Sequence, residues 1–207
     1  MDIRITEVIK RRYNRTALFY DWMDRMIPAG WRQLVWREAR GRVLEVGVGT
    51  GANFPYYPPD CQVTAIDFSP GMLARARQKL HQARVPVALR EMDVQHLDFA
   101  DASFDTVVAT CVFCTVPDPV QGLREVNRVC RPEGKIVLLE HVRSENRLLG
   151  PLMDTLNPLV LYFIGSNINR RTVANVKKAG ITIEREVNLA GNIVKLIIGH
   201  PLFTPWP

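Results

Sequence analysis

The sequence predicts an α/β fold in which a mostly parallel sheet ends in an antiparallel hairpin. Three observations carry that reading. Short β-branched runs alternate with helical segments at the spacing of βαβ units, which requires parallel strands joined by right-handed crossovers. A glycine-rich turn follows the first of those strands. The last two strands, by contrast, are separated only by Ala190-Gly191-Asn192, a turn composition that sends the chain back antiparallel.

Residues 4–26 read as an amphipathic helix. Ile5, Val8, Ile9, Tyr13, Ala17, Tyr20 and Met23 recur at helical spacing, with arginines between them. Pro28-Ala29-Gly30 is expected to break that helix, and Trp31–Arg40 to form a second one closed by Gly41. Strands are expected at Arg42–Val46, Gln62–Ile66, Val87–Arg90, Thr106–Thr110, Lys135–Leu139, Ile181–Val187 and Ile193–Ile198. Helices at Met72–Ala83, Val120–Cys130 and Arg170–Ala179 fall between them, the last capped by Gly180. Residues 148–165, LLGPLMDTLNPLVLYFIG, are apolar over the length of a membrane span. Pro151, Asp154, Asn157 and Pro158 argue against one, so a broken insertion acting as core or as a pocket lid is the expectation.

Composition sets the class. With 207 residues, 47% hydrophobic and 23% charged, the chain reads as one globular domain over 1–207, a helical arm at 1–40 leading a core at 41–200. Four cysteines make no disulfide framework, and Met1–Asp2 leads into a polar, Arg-rich stretch instead of an apolar leader, so a cytoplasmic chain is expected. Cys111 and Cys114 form a C-x-x-C, but no second Cys/His pair stands at matching spacing, and no metal is expected. The net charge of +6 is concentrated: residues 1–42 hold ten Lys/Arg against five Asp/Glu, the remainder 17 against 16. Such an arm attracts anionic membrane surfaces or nucleic acid, and the sequence holds no nucleic-acid recognition module.

The chemistry sits in Val43-Leu44-Glu45-Val46-Gly47-Val48-Gly49-Thr50-Gly51. The spacing G-x-G-x-G differs from the dinucleotide fingerprint and lacks the Gly-Lys-Ser/Thr of a P-loop. Asp67 ends the second strand, where a carboxylate can accept hydrogen bonds from both hydroxyls of a ribose. Met92-Asp93-Val94 follows the third strand, placing another acid where an adenine amino group can be met. Acids and glycines at successive strand ends point to an adenosine-containing ligand.

LEVGVGTG, the strand-ending Asp67, EMDV, SFDTVVA and LREVNRVCRPEGKIVLLEH together resemble class I S-adenosylmethionine-dependent methyltransferases over residues 40–200. The resemblance implies a Rossmann-like, seven-stranded sheet whose last strand runs antiparallel, with S-adenosyl-L-methionine as cofactor. It implies that Glu45 orders the glycine loop of Gly47, Gly49 and Gly51, that Asp67 holds the ribose, and that Asp93 marks the adenine pocket. Phe68, Met72, Val94 and Thr110 join the cofactor set on the same ground. YDWMDRM, YYPP at 56–59, CTVPDP at 114–119 and LLEHVRS at 138–144 are similar to bacterial phosphatidylethanolamine N-methyltransferases, and also to small lipid or thiol methyltransferases. Quinone-ring C-methyltransferases carry Phe-Gly-x-Arg-Asn after strand four, where this chain reads Val112-Phe113-Cys114-Thr115-Val116.

Expected substrates are therefore phospholipid headgroups at an anionic membrane surface, with a lipophilic thiol or quinone-like acceptor, or a non-catalytic cofactor-binding regulator, as alternatives. Tyr20 is expected to orient the amine, and His141 to take or relay its proton because imidazole titrates near neutrality. Tyr13, Cys114 and Thr115 are the expected acceptor contacts. The chain is expected to act as a peripherally membrane-associated monomer.

Overall fold

The computed structural model describes residues 26–163 and 165–202. The helix expected at 4–26, with Tyr13 and Tyr20, lies outside the described residues. Helix α1 (Ala29–Trp36) starts earlier and stops sooner than the expected Trp31–Arg40. Pro28, itself extended, opens it, its carbonyl accepting the Trp31 amide at 3.0 Å, so Ala29 and Gly30 belong to the helix that starts there. A proline costs nothing there, because the first amides of a helix have no internal partner.

Seven strands follow: β1 (Arg42–Val46), β2 (Gln62–Asp67), β3 (Val87–Glu91), β4 (Phe104–Thr110), β5 (Cys130–His141), β6 (Ile181–Ala190) and β7 (Val194–Pro201). They form one sheet in the order β3-β2-β1-β4-β5-β7-β6, with β7 antiparallel to both neighbours. The β6–β7 turn closes where the Ile193 amide donates to the Ala190 carbonyl at 2.8 Å, as the Ala-Gly-Asn composition predicts. Strand β5 begins at Cys130, five residues before its expected start, because Cys130 pairs with Phe104 ahead of a register irregularity. Between β1 and β4 the strand order reverses, which opens a crevice at the strand C-termini.

The helices obey their capping residues. Helix α2 (Pro70–Lys79) is capped by Ser69, whose side chain accepts from the Met72 amide. It therefore starts two residues before the expected Met72, and residues 80–82 tighten into a 3-10 turn. Asp118 caps helix α3 (Pro119–Val129) by accepting from the Val120 and Gln121 amides, which makes it the turn acid its position suggests. Helix α5 (Thr172–Lys178) packs near α3 and leads into β6. Strand alternation divides the core into two layers. Leu44, Val46, Val107 and Leu138 meet Leu123 and Val126 on one face, while Val43, Val108 and Leu139 meet Trp36 and Phe54 on the other.

Residues 148–165 depart from the expectation. Leu149–Phe163 is one helix, α4, running through Pro158. Asn157 anchors it just before the proline, accepting from the Ile168 amide at 2.9 Å and donating to Asn167 at 3.1 Å. Nor is α4 core: only Gly150 and Met153 on it are buried. No helix among the described residues is long and apolar enough to cross a membrane.

Candidate active site

A cavity of about 410 Å³ lies at the C-terminal ends of the parallel strands, lined by all but two of the described candidates. Gly47 and Gly49 form its floor. Both take left-handed backbone, with φ of 66° and 56°. A Cβ on Gly47 would come 2.5 Å from Val112, whereas one on Gly49 would stand in open space. The Gly49 amide donates to Asp67 at 2.9 Å, and the Ser69 amide donates to the other oxygen of the same carboxylate at 2.9 Å. Two backbone donors thus fix Asp67, and a carboxylate has about four acceptor sites, so it can serve a ligand as well.

Glu45 and Gly51 stand behind the cavity. Strand alternation turns Glu45 to the face of Trp36 and Phe54, where it is buried and accepts from Asn53 Nδ2 at 2.6 Å and from the Tyr57 hydroxyl. The neighbouring carboxylate and burial together hold the Tyr57 phenol far above its ordinary pKa, burial contributing most. Arg32 on α1, itself buried, donates to Asn53 Oδ1 at 2.6 Å. Asn53 also reaches Thr110 at 3.2 Å and lines the cavity, so Glu45 bears on the site through this side chain. Arg32, Asn53 and Tyr57 were not singled out from the sequence as site residues. A signal existed for Arg32, because its spacing to Val35 and Trp36 puts it on the buried face of α1.

The third acid, Asp93, accepts from the Gln95 amide at 2.9 Å and from its side chain at 2.9 Å and 3.0 Å. Gln95 in turn accepts from the Asp118 amide at 3.0 Å. Phe68, Met72 and Val94 supply apolar wall on this side, and Thr110 ends β4 between the two halves. A ligand with a diol at Asp67 and a flat base between Phe68, Met72 and Val94 meets complementary groups, so the residues present fit an adenosine moiety.

Among the described residues the opposite half is apolar and uncharged. Val112, Cys114, Thr115 and Val116 line it with His141, Val160 and Ile168. Burial, then the nearby Glu140 charge, pushes the Cys114 thiol up to about 12, which keeps it protonated. Burial pulls the His141 imidazole below its ordinary 6.5, leaving it neutral at pH 7. Behind this half, Glu140 is fully buried and accepts from the Val112 and Phe113 amides at 2.9 Å and 3.2 Å. It faces the sheet side opposite His141 and does not line the cavity. Burial pushes its carboxyl up to about 7 despite those donors. Sequence reading missed Glu140, whose role depends on contacts 28 residues away.

Known proteins share these features. A family described as a methyltransferase domain matches residues 44–138. The chain is 42% identical to a phosphatidylethanolamine N-methyltransferase of Cereibacter sphaeroides over 151 residues, 70% of this chain and 72% of that protein. It is 36% identical to the human thiol S-methyltransferase TMT1A over 68% of this chain and 59% of that protein. With a demethylmenaquinone methyltransferase of Deinococcus radiodurans it shares 32% identity over 79% of this chain and 72% of that one. Among solved structures, a chain of the Haloferax volcanii complex of the Trm112 methyltransferase activator with a methyltransferase superposes at a TM-score of 0.76, with 16% identity, covering 96% of this chain and all of that one. The [4+2]-cyclase SpnF superposes at 0.69 with 18% identity, covering 87% of this chain and 81% of that one. The fold alone therefore does not decide the reaction. The sequence relatives do: the chain belongs to the class I S-adenosylmethionine-dependent methyltransferases, and S-adenosyl-L-methionine is its cofactor.

Proposed function

We propose that this enzyme N-methylates the headgroup of phosphatidylethanolamine and its partly methylated products at a membrane surface. The observation that carries the reading is the 42% identity to a phosphatidylethanolamine N-methyltransferase, set beside an acceptor half of the cavity that is apolar and neutral. Bound S-adenosylmethionine supplies a methyl group on a positively charged sulfur. Gly47, Gly49 and Asp67 would hold its ribose and amino-acid portion, with Phe68, Met72, Asp93, Val94 and Thr110 around the base. The apolar walls near Val112 and Val160 keep water out, which favours a transfer in which the charge on sulfur disperses and passes to the attacking nitrogen.

The acceptor amine must arrive neutral. An alkylamine of pKa about 10.4 is unprotonated in only about one molecule in 10³ at pH 7. Among the described residues the only acids lining the cavity are Asp67 and Asp93, both on the cofactor side, so no described carboxylate stabilises an ammonium at the acceptor. His141 takes the proton in this reading. Its imidazole is neutral, and its Nδ1 has no hydrogen-bond partner among the described residues. Tyr20, with Tyr13, would orient the headgroup, and Cys114 and Thr115 would contact it; the last two line the cavity.

A lipophilic thiol is the second reading. An acceptor side without an acid among the described residues suits a neutral thiol equally, and the human relative is a thiol S-methyltransferase. Labelled methyl transfer separates the two, with phosphatidylethanolamine vesicles assayed beside soluble amines, alkyl thiols and quinols. Mono- and dimethylated headgroups in the lipid extract are the expected result. Label confined to the thiol or the quinol would discard the phospholipid reading.

A further inference from the structure

Helix α4 carries its polarity reversed. At about 100° per residue, Leu148, Leu152, Leu156, Leu159 and Phe163 fall within an arc of about 80°. In a surface helix such an arc faces the core. Here it faces outward, and these residues expose between 43% (Leu156) and 84% (Leu148) of their surface. Tyr162 flanks the arc and is 71% exposed. The opposite face packs inward through Gly150, Met153 and Asn157, the one polar side chain among them bonded to Ile168 and Asn167. Inward-facing Val160 lines the cavity.

Charge is excluded from the arc and kept beside the first turns of α4. Asp154, the only acid on α4, is bound by Arg143 at 2.8 Å and 3.0 Å. From Thr155 to Asn169 no side chain is charged. Exposed Arg147 precedes the helix, and exposed Arg171 lies near Asp154, because the chain turns back along α4 so that Asn169 donates to Asp154 at 3.1 Å and the Arg143 amide donates to the Arg170 carbonyl at 2.9 Å. The exposed acid Glu145 lies 3.8 Å from Lys195. An apolar stripe with arginines beside its first turns is complementary to acyl chains beneath anionic headgroups.

We infer that α4 is the element that seats this enzyme on an anionic bilayer, lying in the interface with its leucine arc among the acyl chains. At 15 residues it is about 22 Å long, too short to span a hydrocarbon core of about 30 Å. Because its inner face walls the cavity, a headgroup drawn from that bilayer enters from the side facing the membrane. The inference rests on the lipid reading for its choice of partner, but it holds for any lipid-borne acceptor.

The full chain is tested by flotation with phosphatidylcholine–phosphatidylglycerol vesicles, which contain no phosphatidylethanolamine. Leu152→Glu with Leu156→Glu should weaken vesicle binding at least about tenfold while S-adenosylmethionine affinity and the unfolding midpoint hold. In the unsubstituted chain, amide hydrogen exchange over 148–163 should slow on adding vesicles and nowhere else to the same degree. Undiminished binding by the double variant, or exchange at 148–163 unchanged by vesicles, overturns the inference. So does a concentration-dependent dimer that the double variant abolishes, or a fall in its unfolding midpoint that marks the arc as covered by residues 1–25. Binding that depends on α4 without headgroup methylation keeps this inference and discards phosphatidylethanolamine as the substrate.

Discussion

The two halves of the cavity are built on opposite principles. On the cofactor side, carboxylates end the strands and each is held by donors of the chain itself: Asp67 by two amides, Asp93 by Gln95, Glu45 by Asn53 and Tyr57. That half is polar and preorganised. On the acceptor side the lining is apolar, its histidine is neutral, and its supporting carboxylate, Glu140, is hidden behind the wall. Charge is fixed where a cofactor must be recognised and withheld where a methyl passes from a charged sulfur to a neutral acceptor. Preorganised donors and acceptors bind without reorganisation, whereas a dry apolar wall favours dispersal of the sulfonium charge in the transition state.

Three substitutions probe that contrast. The largest effect is expected at the acceptor half, where His141→Ala should lower kcat about 100-fold and leave S-adenosylmethionine affinity within about twofold. Steady-state rates beside calorimetric binding would show it; an equal loss in both would place His141 in the cofactor half and erase the distinction. Full activity in unsubstituted enzyme at acid pH would also count against it, because the imidazole must be neutral to accept a proton. Asp67→Ala comes next. It removes a charged acceptor and should weaken cofactor binding about tenfold to a hundredfold, as loss of hydrogen bonds to a charged group of about 1.5–3 kcal/mol does. Calorimetry finding unchanged affinity would remove Asp67 from the site.

The smallest effect concerns Glu140. Burial raises its carboxyl to about 7 in the folded chain against an ordinary 4.5. The folded state therefore keeps a proton that the unfolded chain has lost, and this contribution to stability is full below about 4.5 and gone above about 7. Glu140→Gln should flatten that part of the decline, most visibly as a gain in relative stability at alkaline pH. Denaturant unfolding at several pH values measures it, and an unaltered slope would mean that Glu140 ionises normally.

Some of this was readable from local pattern. The G-x-G-x-G turn, Asp67 and Asp93 each sit within a few residues of a strand end, and strand ends follow from period-two alternation and glycine. The capping acid Asp118 and the terminal hairpin are equally local. Asn53 and Glu140 were not readable as site residues, because what they do depends on partners 21 to 28 residues distant, and Arg32 was legible only as a residue on the buried face of α1. Pro158 misled for a related reason: read locally it breaks a helix, yet Asn157 ties that helix to Ile168 and Asn167 across a loop.

By itself the sequence determined the order of the seven strands, the glycine loop, the strand-end acids and the concentration of basic residues near the start of the chain, since each rests on propensity or spacing over a few residues. Only the tertiary structure decided that Glu45 acts from behind the cavity, that Glu140 props the acceptor wall, and that α4 turns its leucines outward. An amphipathic pattern specifies that a helix has two faces, and nothing in the pattern says which face the rest of the molecule covers.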